Sequence, residues 1–242
     1  MRVNNEKYYH LSKVDDDTTE LYVYGDIKKK DCILDWLGIQ DDSVSSIGMK
    51  EALDKVETKN LRVRINSYGG SVFEALAIYS LLSDFNGDVE TIVDGCACSA
   101  ASIVFMAGSK RVVPVNGMLL IHNAWCAAEG DKNALRKTAD ELEKLTQPSI
   151  DIYTSKTNVP EDVIKEMMDN ETWITSKEAL EMGFATSIKN EGPMQSVEIS
   201  FDYVRNLVDK VKNYEKEIKE LKKEVQENNK VDSMSQFFLG QI

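Results

Sequence analysis

The feature that most constrains the fold of this chain is a repeated change from strand periodicity to helix periodicity. Residues 61–65 alternate apolar and polar side chains, and residues 72–85 then carry apolar side chains at helical spacing. The same change recurs where the apolar strand 89–93 is followed by a helix that begins near Ser99. Because strands that alternate with helices usually pair in parallel, the sequence predicts an α/β domain.

Further elements extend this pattern along the chain. The apolar spacing predicts strands at 21–24, 111–114 and 118–121, and helices at 31–38, 49–56, 131–156, 160–168 and 176–182. Segments 66–70 and 95–99 contain glycine and are predicted as turns, each joining a strand end to a helix start. Ligands bind at such strand ends in α/β sheets, so both turns are candidate site segments.

The two ends of the chain differ from the central domain, which is predicted to span residues 20–190. Residues 1–19 are polar and predict a flexible leader. Apolar residues recur every seven positions over residues 204–231, which predicts a helix with coiled-coil character, after a linker at 191–203 and before a tail at 232–242. A parallel dimer and a single charged helix are the two interpretations of this pattern.

Composition argues against several classes of protein. The net charge of −12 disfavours nucleic acid as a partner, because phosphate binding needs a basic surface. The apolar run 97–107 is shorter than the roughly 18 residues of a membrane span, and no secretory signal is recognised, so neither membrane insertion nor secretion is expected. Four cysteines without framework spacing predict reduced thiols in the cytoplasm. Cys96 and Cys98 are interpreted as packing residues rather than metal ligands.

The chain contains only two histidines, which limits the possible catalytic bases. Serine is a poor nucleophile at neutral pH and needs an adjacent base, a role that suits histidine. His122 ends the apolar strand at 118–121, whereas His10 lies in the polar leader and is the weaker candidate. Ser99 follows a glycine-containing segment and begins a helix, so Ser99 and His122 together predict nucleophilic acyl transfer.

Gly69 and Gly70 are candidates for binding the developing oxyanion. Glycine backbone reaches positive φ and approaches a substrate closely. An oxyanion hole needs two backbone donors aimed at one point, and the N–H groups of Gly70 and Ala100 are the two candidates. An ordinary strand-to-helix turn is the alternative interpretation.

In combination these motifs resemble the Clp protease proteolytic subunit family. The matching segments are Ile65-Asn66-Ser67-Tyr68-Gly69-Gly70-Ser71-Val72, Ala77-Ile78-Tyr79, Cys98-Ser99-Ala100 and Met118-Leu119-Leu120-Ile121-His122-Asn123. Tyr68 stands where the family usually has proline. The resemblance extends from about Glu20 to Ile188 and implies an α/β, ClpP/crotonase-like fold of repeated β-β-α units, here with a C-terminal helical extension.

The chain is more similar still to the phage-encoded branch of that family, the prohead or head-maturation proteases. The segments that carry this likeness are Val44-Ser45 before Glu51-Ala52-Leu53, Met168 to Thr175, and Ser176 to Ala185. The helical extension also suits a protein of capsid assembly.

The resemblance implies a role for each candidate residue. Ser99 is the nucleophile, His122 is the base, and the N–H groups of Gly70 and Ala100 bind the oxyanion. A carboxylate should orient His122 and stabilise its imidazolium. Counting back from the helix at 176–182 assigns this carboxylate to Glu171, with Asp169 as the alternative.

Three further segments correspond to substrate-binding and assembly regions of the family. Gly69 and Trp125 are implied to bind substrate, and segment 125–130 occupies the place of the substrate-aligning strand. The helix at 131–156 resembles the handle that interdigitates between stacked rings.

The function predicted from this resemblance is that of an ATP-independent serine endopeptidase. It would cleave capsid or scaffold proteins during phage head maturation, as a homo-oligomeric ring in the host cytoplasm or in the assembling prohead. No cofactor, metal, nucleic acid or membrane is expected to take part. The alternatives are a crotonase-like acyl-CoA enzyme, a housekeeping subunit that works with an ATP-driven unfoldase, and a non-catalytic assembly scaffold.

Overall fold

A computed structural model describes residues 11–29 and 43–189. The strands in these ranges form one sheet of eight strands. They are β1 (Ser12–Lys13), β2 (Thr18–Ile27), β3 (Asn60–Gly70), β4 (Asp88–Cys98), β5 (Lys110–Pro114), β6 (Met118–Ile121), β7 (Thr172–Thr175) and β8 (Ser187–Lys189). The helices are α1 (Ser46–Leu53), α2 (Val72–Ser83), α3 (Ala100–Phe105), α4 (Lys132–Lys156), α5 (Glu161–Asp169) and α6 (Ser176–Met182).

The sheet branches at β4, which pairs with two different strands on the same side. The main strand order is β1-β2-β3-β4-β5-β8, with parallel pairing from β2 to β8 and antiparallel pairing between β1 and β2. The first part of β4, Glu90 to Ile92, pairs with β5. Its last part, Cys96 to Cys98, pairs with β6, and β6 then pairs antiparallel with β7. The chain therefore leaves β4 at Ser99, between β3 and β6.

Most of the helices begin at residues that satisfy their free backbone N–H groups. Ser45, Ser71 and Asp131 accept hydrogen bonds from the first turns of α1, α2 and α4. Thr175 and Glu178 form a reciprocal capping box at the start of α6. Side chains of these types at an N-cap stabilise a helix by about 1 kcal/mol each.

The core lies on one face of the sheet, around α3. All six residues of α3 are buried, and the helix packs on β3, β4 and α2. Apolar side chains of β3 alternate into this core, whereas Arg62 and Arg64 lie half-buried on the opposite face. The opposite face is polar: Arg62 donates to Glu90, and Asp94 accepts from both Arg64 and Tyr24. Burial and the hydrogen bond to Asp94 raise the pKa of Tyr24 to about 12, so its hydroxyl remains a donor.

The structure differs from the sequence prediction at both glycine-containing segments. Segments 66–70 and 95–99 are predicted as turns, but β3 continues to Gly70 and β4 continues to Cys98. Sheet pairing explains the difference, because Ile27 pairs with Gly70 and Cys98 pairs with Leu120. Neighbouring strands therefore override the local preference of glycine for turns.

Two further boundaries also differ from those predicted. The sheet begins at Ser12, where the sequence predicts a leader to residue 19, because β1 pairs with the start of β2. Residues 125–130 are irregular in this chain, where the resemblance implies a substrate-aligning strand. His10, the predicted helix at 31–38 and the predicted segments 191–203, 204–231 and 232–242 lie outside the described residues. In the described ranges, no helix has the length and apolar character needed to cross a membrane.

Arg111 is a buried cation that joins β5 to the helical layer. Its guanidinium donates to four backbone carbonyls, those of Gly108, Lys156, Gly183 and Phe184, at distances of 2.7–3.1 Å. Burial lowers the pKa of Arg111, but an arginine remains charged at neutral pH. The carbonyls thus compensate for the desolvation of the guanidinium and tie the ends of α4 and α6 to the sheet.

We expect Arg111→Ala to lower the free energy of unfolding by about 3 kcal/mol, because it leaves buried carbonyls without a donor. The matched control is Arg136→Ala on the exposed start of α4, for which a change within about 0.5 kcal/mol is expected. Urea unfolding measures both values, and equal losses in the two variants would contradict a structural role for Arg111.

Candidate active site

Ser99 has a backbone conformation that is rare for a residue with a side chain. Its φ of 54° and ψ of −126° place it at the N-cap of α3, between β4 and the buried helix. Such a conformation costs about 1–3 kcal/mol and persists only where the surroundings enforce it. The side chain of Ser99 makes no capping hydrogen bond, so the helix does not occupy its hydroxyl. The half-buried Ser99 is therefore a strained residue whose hydroxyl is not used to cap α3.

Three hydrogen bonds hold the backbone of Ser99 in this conformation. The Ser99 N–H donates to the carbonyl of Leu120 in β6, at 2.8 Å. The Ser99 carbonyl accepts from the N–H of Ser102, at 2.9 Å, and from the Ser102 hydroxyl, at 2.6 Å. Both sides of the strained residue are therefore fixed, one to a neighbouring strand and the other to α3.

Gly69 lies directly against the Ser99 turn. A Cβ atom placed on Gly69 would lie 2.8 Å from the amide nitrogen of Ala100 and 2.8 Å from the Cβ of Ser99. The φ of Gly69 is +97°, which also favours glycine. The absence of a side chain at Gly69 is thus what allows β3 to approach the serine.

The two predicted oxyanion donors lie beside this contact. Gly70 is paired with Ile27, but the bond to the Ile27 carbonyl comes from Ser71, at 2.7 Å. In a parallel ladder only every second N–H group donates to a given neighbouring strand. Since Ser71 donates to β2, the N–H of Gly70 does not form a hydrogen bond with β2. The N–H of Ala100, in the first turn of α3, has no partner within its own helix. The structure therefore brings Ser99, Gly69, Gly70 and Ala100 together at the end of the sheet.

His122 directly follows β6, two residues after the carbonyl that binds Ser99. It is half-buried. Within the described residues, its imidazole makes no hydrogen bond, to Ser99 or to a carboxylate. The strand thus brings the histidine to the serine end of the sheet, but the ring is not in hydrogen-bonding position in this single chain.

The two candidate carboxylates lie in different environments. Ile121 pairs with Thr172 at the end of the antiparallel β6–β7 ladder, so His122 and Glu171 are the residues that directly adjoin this last pair. The exposed Glu171 makes no side-chain hydrogen bond with described residues. Asp169 instead accepts a hydrogen bond from the side chain of Asn123, at 2.7 Å. Both carboxylates therefore lie near the end of β6: Glu171 adjoins the last β6–β7 pair, and Asp169 is bound by Asn123.

Glu171 also ends α5 in a conformation that favours glycine. Its φ is 47°, and its N–H donates to the carbonyl of Met168 at 3.2 Å, as in a left-handed helix cap. The hydroxyl of Thr172 donates to the carbonyl of Met167 at 2.7 Å and completes the helix end. Ser99 and Glu171 are the only described residues other than glycine that have a positive φ.

The thiol of Cys98, the residue before Ser99, is a buried group and not a competing nucleophile. Burial raises the pKa of Cys98 to about 12, so its thiol stays protonated at neutral pH. Cys96, Cys98 and Cys126 are all free thiols. Within residues 11–29 and 43–189, no group of three or more His, Cys, Asp or Glu side chains is arranged to hold a metal ion.

Comparison with known proteins identifies the family of this fold and site. A model of the Clp protease family matches residues 23–192. This chain belongs to the Clp protease family. The predicted family is thus confirmed, and with it the assignment as a protease; the match does not bear on the phage-encoded branch.

The relatives of this Clp protease family member include proteolytic subunits from several bacteria. An ATP-dependent Clp protease proteolytic subunit from Bacteroides fragilis is 31% identical over 159 residues, which cover 63% of this chain and 77% of that protein. The proteolytic subunit from Deinococcus radiodurans is 30% identical over 132 residues, which cover 54% of this chain and 65% of that protein. The ATP-dependent Clp protease proteolytic subunit 2 from Parasynechococcus marenigrum is 30% identical over 142 residues, which cover 58% of this chain and 72% of that protein.

The structure adds three residues that the sequence analysis did not assign to the site. Asn123 directly follows His122 in the matched motif, which is a usable signal for this residue but not for its partner, Asp169. Ser102 lies one helical turn after Ser99 and binds its carbonyl. Tyr153 contacts Ser102 from α4, 51 residues away, and no local pattern marks it.

Measurements of stability and of peptidase activity in the same variants distinguish the roles of Glu171 and Asp169. We expect Glu171→Gly to raise the free energy of unfolding by about 0.5–1 kcal/mol, because glycine removes the left-handed strain at the end of α5. The same variant should lower peptidase activity at least about 100-fold if Glu171 orients His122.

The matched control for this prediction is Asp169→Asn, which keeps an acceptor for Asn123. Because this variant keeps the hydrogen bond with Asn123, it should retain peptidase activity within about 3-fold. A large loss with Asp169→Asn and none with Glu171→Gly would assign the carboxylate to Asp169 instead.

Proposed function

We propose that this protein is a serine endopeptidase in which Ser99 attacks the carbonyl of a polypeptide substrate. The observation that carries the proposal is the strained backbone of Ser99, which has a free side chain and is packed directly against Gly69. Strain of this kind is concentrated at functional sites, because a fold without a use for it would gain stability by losing it.

The proposed reaction uses the groups that surround Ser99. As the hydroxyl oxygen of Ser99 bonds to the substrate carbonyl carbon, the imidazole of His122 takes the hydroxyl proton. The carbonyl oxygen becomes negative and accepts hydrogen bonds from the N–H groups of Gly70 and Ala100. His122 then protonates the leaving amine, and a water molecule, activated in the same way, hydrolyses the acyl-enzyme.

The imidazole has to align with Ser99 before this reaction can proceed. Catalytic hydrogen bonds are often long in enzymes without substrate and shorten in the complex. In this proposal Glu171 aligns the ring; the supporting observation is that His122 and Glu171 directly adjoin the last pair of the β6–β7 ladder, Ile121 with Thr172. Asp169 is the alternative and would first have to leave Asn123.

The substrate would lie as an extended chain between Gly69 and the segment that contains Trp125. This segment carries no strand partner in the described structure, and Trp125 is 78% exposed. Backbone groups that lack a partner can pair with an added strand. Tyr68, also 78% exposed, flanks the same site in place of the family's usual proline.

The exposed half of α4 supports assembly into rings. From Lys132 to Lys144 all side chains are exposed except the half-buried Thr138 and Leu142, whereas the later part of the helix packs into the core. A helix that projects in this way suits a contact between copies of the chain, such as the handle between stacked rings.

The cellular role has two candidates. The resemblance to prohead proteases predicts ATP-independent cleavage of capsid or scaffold proteins during phage head maturation, and this finer role stays a prediction. The names of the relatives favour the second candidate, a proteolytic subunit that receives substrate from an ATP-driven unfoldase. A crotonase-like acyl-CoA enzyme is less consistent with the family match, and a non-catalytic scaffold is less consistent with the arrangement of Ser99.

Labelling with a fluorophosphonate probe tests the proposed chemistry. The wild-type chain should form a phosphonyl adduct on Ser99, and both Ser99→Ala and His122→Ala should abolish it, since the serine needs its base. Ser80→Ala, at an exposed position of α2, is the control and should label like the wild type. An adduct that persists in Ser99→Ala would assign the nucleophile elsewhere.

A comparison of substrates separates the two cellular roles. The purified full chain alone should cleave unfolded casein in both cases, because the chemistry needs no ATP. Cleavage of a folded capsid or scaffold protein by the chain alone would support the prohead role. Cleavage of folded protein only after addition of an ATP-driven unfoldase would support the other role and overturn the first.

A further inference from the structure

A pair of buried hydroxyl groups lies directly behind the Ser99 turn. Ser102 in α3 is 1% exposed, and Tyr153 in α4 is 2% exposed. Their hydroxyl oxygens are 2.7 Å apart. The Ser102 hydroxyl also lies 2.6 Å from the carbonyl oxygen of Ser99. Three residues from two helices and the strained turn are therefore joined in one short chain of hydrogen bonds.

The direction of these hydrogen bonds follows from the acceptor at one end. A carbonyl oxygen only accepts, so the proton of Ser102 must point to Ser99. Ser102 then has no second proton to give, and Tyr153 must be the donor to Ser102. Burial raises the pKa of Tyr153, which keeps its phenol protonated and able to donate. The order of donation is Tyr153 to Ser102 to Ser99.

This order of donation strengthens a hydrogen bond that holds the strained backbone of Ser99. The carbonyl of Ser99 is fixed by two donors from Ser102, its N–H and its hydroxyl. A hydroxyl that accepts a hydrogen bond becomes a better donor, so Tyr153 strengthens the bond from Ser102 to Ser99. Tyr153 itself is held in place by its burial and by the ring of Phe184, with ring centroids 5.7 Å apart.

We propose that Ser102 and Tyr153 are positioning residues that hold the Ser99 backbone in its reactive, strained conformation. The inference rests on the proposed function, in which Ser99 is the nucleophile. Neither residue touches the substrate; both act through the carbonyl of Ser99. Because Tyr153 belongs to α4, the pair also makes the geometry of the nucleophile depend on the placement of that helix.

The rate of fluorophosphonate labelling, measured on the full chain, tests this inference. Ser102→Ala removes the hydroxyl that binds Ser99 and should slow labelling by about 10- to 100-fold, with the concentration for half-maximal rate unchanged. Tyr153→Phe removes only the phenol oxygen and should slow labelling by a smaller factor, about 3- to 10-fold.

The double variant separates positioning from stability. Ser102→Ala alone leaves the Tyr153 hydroxyl buried without an acceptor, which should lower the Tm. Adding Tyr153→Phe removes that hydroxyl, so the double variant should recover part of the Tm. Its labelling should nevertheless remain as slow as that of Ser102→Ala, which a purely structural role would not produce.

Thr91→Val provides a matched control at the other end of the same helix. The buried hydroxyl of Thr91 donates to the carbonyl of Phe105 at 2.8 Å, at the end of α3 opposite to the Ser99 turn. This variant should lower the Tm and label at the wild-type rate.

The outcomes distinguish the inference from the function on which it rests. Rapid labelling of wild type together with equally rapid labelling of Ser102→Ala overturns the inference alone. A loss of rate in Thr91→Val as large as that in Ser102→Ala also overturns it, because the effect would then be general destabilisation. A wild-type chain that is never labelled at Ser99 overturns the proposed function and the inference together.

Discussion

The hydrogen bond from the N–H of Ser99 to the carbonyl of Leu120 is the interaction on which the rest of the site depends. It joins the end of β4 to β6 at 2.8 Å. Because β6 continues directly into His122, the same contact holds the backbone of the proposed nucleophile beside a residue only two positions before the proposed base. The pairing of β6 with β7 ends at Ile121 and Thr172, the residues next to His122 and Glu171. This backbone contact and the β6–β7 ladder together align three segments that are far apart in sequence.

The site also illustrates how stability and chemistry compete at particular backbone positions. Ser99 and Glu171 adopt positive φ angles that glycine would adopt at lower cost. Glycine would supply neither a hydroxyl nor a carboxylate, however, so the strain is consistent with selection for the side chains. Strain of this size must be balanced by contacts elsewhere in the fold. At Ser99 such contacts come from the buried helix α3. Its Ser102 binds the Ser99 carbonyl and is itself bound by Tyr153 of α4.

The parts of the fold and site that could be predicted from sequence are those with local signals. The periodicity of residues 61–65 and 72–85 predicted a strand and a helix, and both are present as β3 and α2. The continuation of β3 through Gly69 was not predictable, because it depends on pairing with β2. The pairing of Asn123 with Asp169 and of Ser102 with Tyr153 joins residues that are distant in sequence. Such contacts arise only from tertiary packing, so no periodicity or spacing reveals them.

A crystal structure of the chain after reaction with a fluorophosphonate would test the central claim most directly. The account predicts a phosphorus atom bonded to the hydroxyl oxygen of Ser99, with one phosphonyl oxygen about 2.7–3.1 Å from the backbone nitrogens of both Gly70 and Ala100. In the same structure, the imidazole of His122 should lie within hydrogen-bonding distance of the Ser99 oxygen. An adduct on another residue, or a phosphonyl oxygen that contacts neither amide, would contradict the account.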